Sequence, residues 1–208
     1  SDIFYFLKKA VPHEALKIDY SHHPIYQQLE EFGIRHFEFD LFEDPQGGLF
    51  KSRKALEYLD INYDESDLKG LNQSGFKVMH LPEIDYRTNC ISFKSCLKEI
   101  KKWSDKNKTH VPIMILIELK DDKVPDPLNL GFSQPLIATK KTLDAIDNEI
   151  LSVFKRDKII TPDLVRKNFS LIKPDLIEMG WDKADLGLVG AALSIAYGIS
   201  KFVMGNVS

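Results

Sequence analysis

The sequence predicts an α/β protein with a parallel sheet, on three observations. Strand-like and helix-like segments alternate along the chain. Val111 to Leu119 (VPIMILIEL) is a near-continuous apolar run, the pattern of a strand buried on both faces of a parallel sheet. Ser92 to Ser104 and Thr139 to Phe154 carry apolar residues at helical spacing. The alternation suits an open sheet and a closed barrel equally.

Taken in chain order, residues 24–32 (PIYQQLEEF) read as a helix stopped by Gly33. Ile34 to Leu41 (IRHFEFDL) alternates as a strand: Ile34, His36, Glu38 and Asp40 share one face, and Arg35, Phe37, Phe39 and Leu41 the other. Asp44-Pro45-Gln46-Gly47-Gly48 turns the chain. Residues 51–74 are polar and read as an irregular excursion with room for a short helix. Phe76 to Leu81 is a second strand, cut by Pro82. In the helix from Ser92 to Ser104, Phe93, Leu97, Ile100 and Trp103 face inward with lysines opposite. The helix from Thr139 to Phe154 turns Leu143, Ile146, Ile150 and Val153 inward. Ile159-Ile160 reads as a short strand, and Thr161-Pro162-Asp163 opens a further helix with proline at its first position.

Composition excludes some partners. The 208 residues carry 28 Lys+Arg against 31 Asp+Glu, a net charge of −3, which removes the electrostatic footprint of a nucleic-acid binder. The lysines are scattered among acids, so no polybasic membrane patch stands out. SDIFYFLKKA does not have the pattern of a signal peptide. The longest uncharged apolar stretch, Leu186 to Ser200, is 15 residues. A bilayer span needs roughly 20. Cys90 and Cys96 suit either a small disulfide loop or two buried thiols, and not a metal knuckle.

Three strands end in polar residues that a buried strand has no structural reason to carry. In HFEFD, Glu38 and Asp40 are two apart, so both carboxylates point the same way, about 7 Å apart. Like charges aimed inward repel unless a cation sits between them, and hard oxygen ligands suit Ca²⁺ or Mg²⁺. The plainer reading is the solvent face of an edge strand. In IELKDD, Glu118 and Lys120 share a face directly after MILI, at the carboxyl end where α/β proteins place their sites. The plainer reading there is a salt-bridged strand exit. His80 ends FKVMH and is either a general acid or base or a structural histidine. His13, His22, His23 and His110 read as surface residues. Together, Glu38, Asp40, His80, Glu118 and Lys120 fit metal-assisted phosphoryl chemistry. The metal would neutralise phosphate oxygens and acidify a hydroxyl nucleophile, while the histidine protonates the leaving oxygen.

The segments IDYSHHPIYQQLEEFGIRHFEFDLFEDPQGGL, GFKVMHLPEIDYRTNC, KSCLKEIKKWSDKNKTHVPIMILIELKDD and LDAIDNEILSVFKRDKIITPDLVR run in order over about residues 18–166. In them the chain resembles the secreted calcium-dependent phosphoinositide phospholipase C family, a phosphatidylinositol phosphodiesterase-like TIM barrel. The resemblance implies a (β/α)8 barrel, calcium as cofactor, and Glu38, Asp40 and Glu118 as its ligands. It makes His80 the second catalytic histidine and Lys120 a phosphate-side or ligand-orienting group. It implies a partner, a phosphatidylinositol-type phospholipid at a membrane surface, cleaved to diacylglycerol and a cyclic inositol phosphate. It also pairs Cys90 with Cys96 and implies an extracellular origin.

The sequence departs from the family at two places. The family's first strand carries a His-Asn-Ser-Tyr-His type motif; no Asn occurs before Glu38 here, and His22 and His23 sit in a different segment. Beyond GW at 180–181 the chain becomes Gly/Ala-rich and apolar. The expectation is therefore a partial barrel lacking its first and last strands, with a phospholipase C-like region over 1–180 and an unaligned tail over 181–208. Such a chain is a weakly active or inactive fragment of an active enzyme. The alternatives are a truncated relative that only binds calcium or phospholipid, a glycerophosphodiester phosphodiesterase-like enzyme, and an α/β interaction protein with an exposed apolar tail.

Overall fold

A computed structural model of the chain describes His13, Leu16 and residues 20–64, 69–83, 85–126 and 128–161. The chain divides into two units, Ser1–Arg156 and Asp157–Ser208. The boundary expected at 180/181, the apolar tail and the helix expected from Pro162 all lie outside the described residues. In the first unit, helices pack on one face of a three-stranded sheet, so the α/β class is borne out.

Strand β1 (His36–Phe42) is central. Its alternation buries Phe37, Phe39 and Leu41 on one face and leaves His36, Glu38 and Asp40 on the other. Strand β3 (Met114–Leu119) pairs with it in parallel, from His36↔Met114 to Leu41↔Leu119. The apolar run of β3 predicts burial on both faces, and the structure corrects that. Ile115, Ile117 and Leu119 pack against the core, whereas Met114 is 63% and Leu116 39% exposed. Among the described residues β3 has β1 as its sole neighbour, and only one face of the pair is covered.

Strand β2 (Lys77–Val78) is shorter than the 76–81 stretch expected, and it runs antiparallel to β1, with Leu41↔Val78 and Phe42↔Lys77. The sheet is thus mixed, not wholly parallel. A buried ion pair explains the direction. Lys77 Nζ lies 3.1 Å from Asp44 Oδ2, and both side chains are essentially inaccessible. The chain leaves β1 through Asp44, makes the excursion containing α2 (Lys54–Tyr58), and is tied back at the end it left. Asp44 also accepts from Gly47 N at 2.8 Å, and Lys77 Nζ donates to Gly75 O at 3.1 Å. Gly47 has a left-handed backbone (φ 82), and a Cβ there would collide with the Asn72 backbone.

Helix α3 (Phe93–Lys106) starts at a reciprocal cap: Ser92 Oγ accepts from Ser95 N at 3.2 Å, and Ser95 Oγ accepts from Ser92 N at 3.3 Å. It buries Phe93, Cys96, Leu97, Ile100 and Trp103 against the Phe37/Phe39/Leu41 face, joined by Ile25 and Leu29 of α1 (Ile25–Glu30). A disulfide joins Cys90 to Cys96 across the start of α3. Helix α4 (Lys140–Val153) has the same kind of cap, from Thr139 and Thr142. It turns Ile146, Ile150 and Val153 inward as expected, but Leu143 is 56% exposed and Thr142 is buried instead. The Thr142 hydroxyl donates to Glu43 at 2.7 Å, and that bond sets the rotation of the first turn.

A second core lies under the loops that follow the strands, built from Phe42, Phe50, Leu56, Leu71, Met79, Tyr86, Val124 and Phe132. In the second unit, residues 157–161 are described; Ile159 and Ile160 form no strand, contrary to expectation, and Ile160 is 60% exposed. No helix among the described residues is long and apolar enough to cross a membrane.

The buried pair sets a stability prediction. Asp44→Ala leaves the Lys77 ammonium buried without its counter-charge and is expected to cost about 3–5 kcal/mol in urea unfolding. Asp105→Ala, which breaks the exposed Lys101–Asp105 pair, should leave the unfolding midpoint almost unmoved.

Candidate functional site

The β1–β3 register places Asp40 directly opposite Glu118, with Glu38 one pair back on the same face. One carboxylate oxygen from each of Glu38, Asp40 and Glu118 lies within 4.8 Å of the others. Lys120, just past the end of β3, is held there by its backbone N–H, which donates to Leu41 O at 2.9 Å. Its ammonium reaches Glu118 Oε1 at 2.7 Å and Asp40 Oδ2 at 3.6 Å. Four of the five expected site residues therefore share one patch on the face opposite the hydrophobic core.

The electrostatics follow from this crowding. Burial pushes the Asp40 carboxyl up to about 6; Lys120 opposes the shift and Glu118 adds to it. The Lys120 hydrogen bond holds the Glu118 carboxyl below its usual range. Burial works against the Lys120 ammonium, but Glu118 and Asp40 outweigh it and its pKa rises.

His80 follows β2, so it reaches the site from an antiparallel strand and not from a third parallel one. Its Nδ1 is 2.9 Å from Asp85 Oδ2, and its side chain is half exposed. The Asp85 contact raises the His80 pKa against the effect of burial; Asp40 also raises it and Lys120 lowers it. Asp85 is a site residue that the sequence reading missed. It is brought back by a tight turn in which Leu81 and Asp85 exchange both backbone hydrogen bonds, at 3.0 and 2.9 Å. The signal was present as an acid five residues after the histidine, across Pro82. Cys90 and Cys96 form their disulfide beside α3 and take no part in the carboxylate cluster. Two surface hollows are lined by residues such as Asn89, Lys98, Glu99 and Lys102, and by Tyr26 and Lys106; neither includes an acid of the cluster or His80.

The family described as Phosphoinositide phospholipase C, Ca2+-dependent matches residues 1–186. The chain belongs to this family. The match extends the resemblance at both ends, to the first residue and past residue 180. A separate likeness is much shorter. Over 45 residues the chain is 62% identical to the Glycerol-3-phosphate transporter of Bacillus subtilis (strain 168), covering 22% of this chain and 10% of the transporter. Over 45 residues it is 53% identical to the Glycerol-3-phosphate transporter of Haemophilus influenzae, covering 21% and 9%. A Probable hexose phosphate transport protein of Chlamydia trachomatis is 54% identical over 44 residues, covering 21% and 10%. The chain spans about a tenth of the length of these curated relatives. No solved structure matches.

The phospholipase C family is calcium-dependent, and the cluster can be tested against that ion. Ca²⁺ takes oxygen ligands at about 2.3–2.6 Å, so two ligands of one ion lie at most about 5 Å apart. The three carboxylate oxygens meet that limit, and all are hard donors. Glu38, Asp40 and Glu118 fit the ion.

The raised Asp40 carboxyl makes stability pH-dependent. Its folded pKa of about 6 exceeds the ordinary 3.8, so the folded chain holds the proton more tightly and loses stability as pH rises through that interval. Asp40→Asn is therefore expected to raise Tm near pH 7.5, with the gain disappearing below about pH 4. Calorimetry at the two pH values checks it.

Proposed function

We propose that the complete protein is a calcium-dependent phosphodiesterase that cleaves phosphatidylinositol to diacylglycerol and a cyclic inositol phosphate. The observation that carries this reading is the joint placement of three carboxylates, a lysine and a histidine–aspartate pair in a family that depends on Ca²⁺. Glu38, Asp40 and Glu118 hold the ion. When bound, calcium supplies positive charge that neutralises phosphate oxygens and acidifies the inositol 2-hydroxyl that attacks phosphorus.

His80 is the general acid. Its Nδ1 is engaged by Asp85, which leaves Nε2 to carry a proton toward the departing glyceride oxygen. The raised pKa keeps more of the imidazole protonated at neutral pH. Lys120 offsets part of the carboxylate charge and orients Glu118, and its ammonium offers a phosphate oxygen a cation beside the cluster.

In this reading β1 and β3 are neighbouring parallel strands of a (β/α)8 barrel. The face bearing Glu38, Asp40, Glu118, Met114 and Leu116 is the barrel interior, which accounts for the exposure of those apolar side chains. The region up to about residue 180 is the barrel part. The Cys90–Cys96 disulfide supports a secreted or extracellular setting. No His-Asn pair precedes Glu38, so the reading makes this chain a weak catalyst that still binds calcium.

Two measurements test it. Calcium is expected to raise the Tm of the chain, and Glu118→Gln to abolish most of that rise; an unchanged calcium response in the variant removes Glu118 from the site. On phosphatidylinositol vesicles the chain should release little inositol phosphate, because a missing general base costs roughly 10²–10⁴ in rate. Fast calcium-dependent release by the chain itself would overturn the second half of the reading.

A further inference from the structure

Glu83 stands out among the described residues on three independent counts. It is 1% exposed, yet it is a carboxylate. Its backbone is left-handed, φ 67, in a residue that carries a Cβ. Its side chain reaches two other loops: Oε1 accepts from the Ser52 hydroxyl at 2.6 Å and from Ser133 N at 3.3 Å, and Oε2 accepts from Lys54 N at 2.7 Å. Ser52 lies in the loop after β1 and Lys54 opens helix α2 at the end of that loop, Ser133 lies in the loop after β3, and Glu83 in the turn after β2. One buried side chain therefore ties together the loops that follow all three strands.

Burying a carboxylate is costly unless its oxygens are well satisfied, and left-handed strain persists only where the surroundings demand it. Simple loop packing requires neither. The position of Glu83 supplies the reason. It lies in the turn closed by the Leu81–Asp85 backbone pair; His80 immediately precedes that turn, and Asp85 ends it. We propose that Glu83 is a positioning residue for His80: by anchoring the 81–85 turn to Ser52, Lys54 and Ser133, it holds the Asp85 carboxylate against His80 Nδ1. This rests on the reading of His80 as the general acid.

The test is an NMR titration of the histidines in the full 208-residue chain, which has six, with His80→Gln assigning the resonance. Asp40 on β1 and Lys120 after β3 are the other charged groups acting on His80, and both are retained in every variant. Asp85→Asn lowers the His80 midpoint. Glu83→Gln is expected to lower it most of the way to that value and leave the other five unmoved. The double variant should go no lower than Asp85→Asn alone. A His80 midpoint unmoved in folded Glu83→Gln overturns the proposal, as does a double variant in which the two shifts add. If Glu83→Gln fails to fold, Ser52→Ala, which removes one of the anchoring bonds, decides the matter: a smaller shift of the same sign supports the anchor and no shift overturns it. The titration needs neither lipid nor calcium. A chain that shows the shift but releases no inositol phosphate in its complete form would overturn the phospholipase reading alone.

Discussion

The parallel ladder between His36–Phe42 and Met114–Leu119 imposes the constraint on which the site depends. It brings Asp40 and Glu118 face to face, with Glu38 beside them, and the cost is substantial. At an effective dielectric near 20, two unit charges about 4 Å apart repel by about 4 kcal/mol. The structure meets the repulsion in two ways. The Lys120 ammonium bridges Glu118 and Asp40, and the Asp40 carboxyl holds its proton up to about pH 6. Both are partial remedies, and a divalent cation held by the three carboxylates, as proposed, would be a fuller one.

The rigidity that such a site requires comes from the two cores on which the sheet and its loops rest. One packs α1, α3 and α4 against Phe37, Phe39 and Leu41 and secures the strands themselves. The other lies beneath the loops, where Phe42, Phe50, Met79, Tyr86 and Phe132 meet. Two buried acids link the loops to these cores. Asp44 holds Lys77 and so sets the direction of β2, while Glu83 bonds to the loops after β1 and β3. Each is a polar group in an apolar setting whose carboxylate oxygens are satisfied by hydrogen bonds or an ion pair.

The legible parts of the fold were those governed by local periodicity. Alternation in HFEFDL gives β1 and the shared face of Glu38 and Asp40, and helical spacing gives α3 and most of α4. The rest depends on contacts distant in sequence. MILI reads the same whether one face or two is covered, so the exposure of Met114 and Leu116 could not be seen in it. The antiparallel entry of β2 hangs on an ion pair between residues 33 positions apart, Asp44 and Lys77. Leu143 lost its inward place to Thr142 because a hydroxyl found Glu43, 99 residues earlier. Asp85 was hidden by the turn at Glu83, whose left-handed backbone no propensity rule assigns to glutamate. The spacing of Cys90 and Cys96 left thiols and a disulfide equally open, and the geometry decides for the disulfide.

The two halves of the site make opposite electrostatic demands. As the proposed calcium ligands, Glu38, Asp40 and Glu118 would gather positive charge, and positive charge nearby drives the proton off an imidazolium. Lys120 already acts on His80 in that direction. A general acid next to a cation site would therefore need its own negative partner, close enough to act on the ring and separate from the acids of that site. Asp85 meets both conditions. It contacts His80 at Nδ1, only 20% of its side chain is exposed, and it stands outside the cluster of three acids. On the proposed reading, an Asp85 placed in the cluster instead would deprive His80 of the contact that raises its pKa. On that reading, keeping this acid on a separately anchored turn would let one short stretch of surface serve both a cation and a proton.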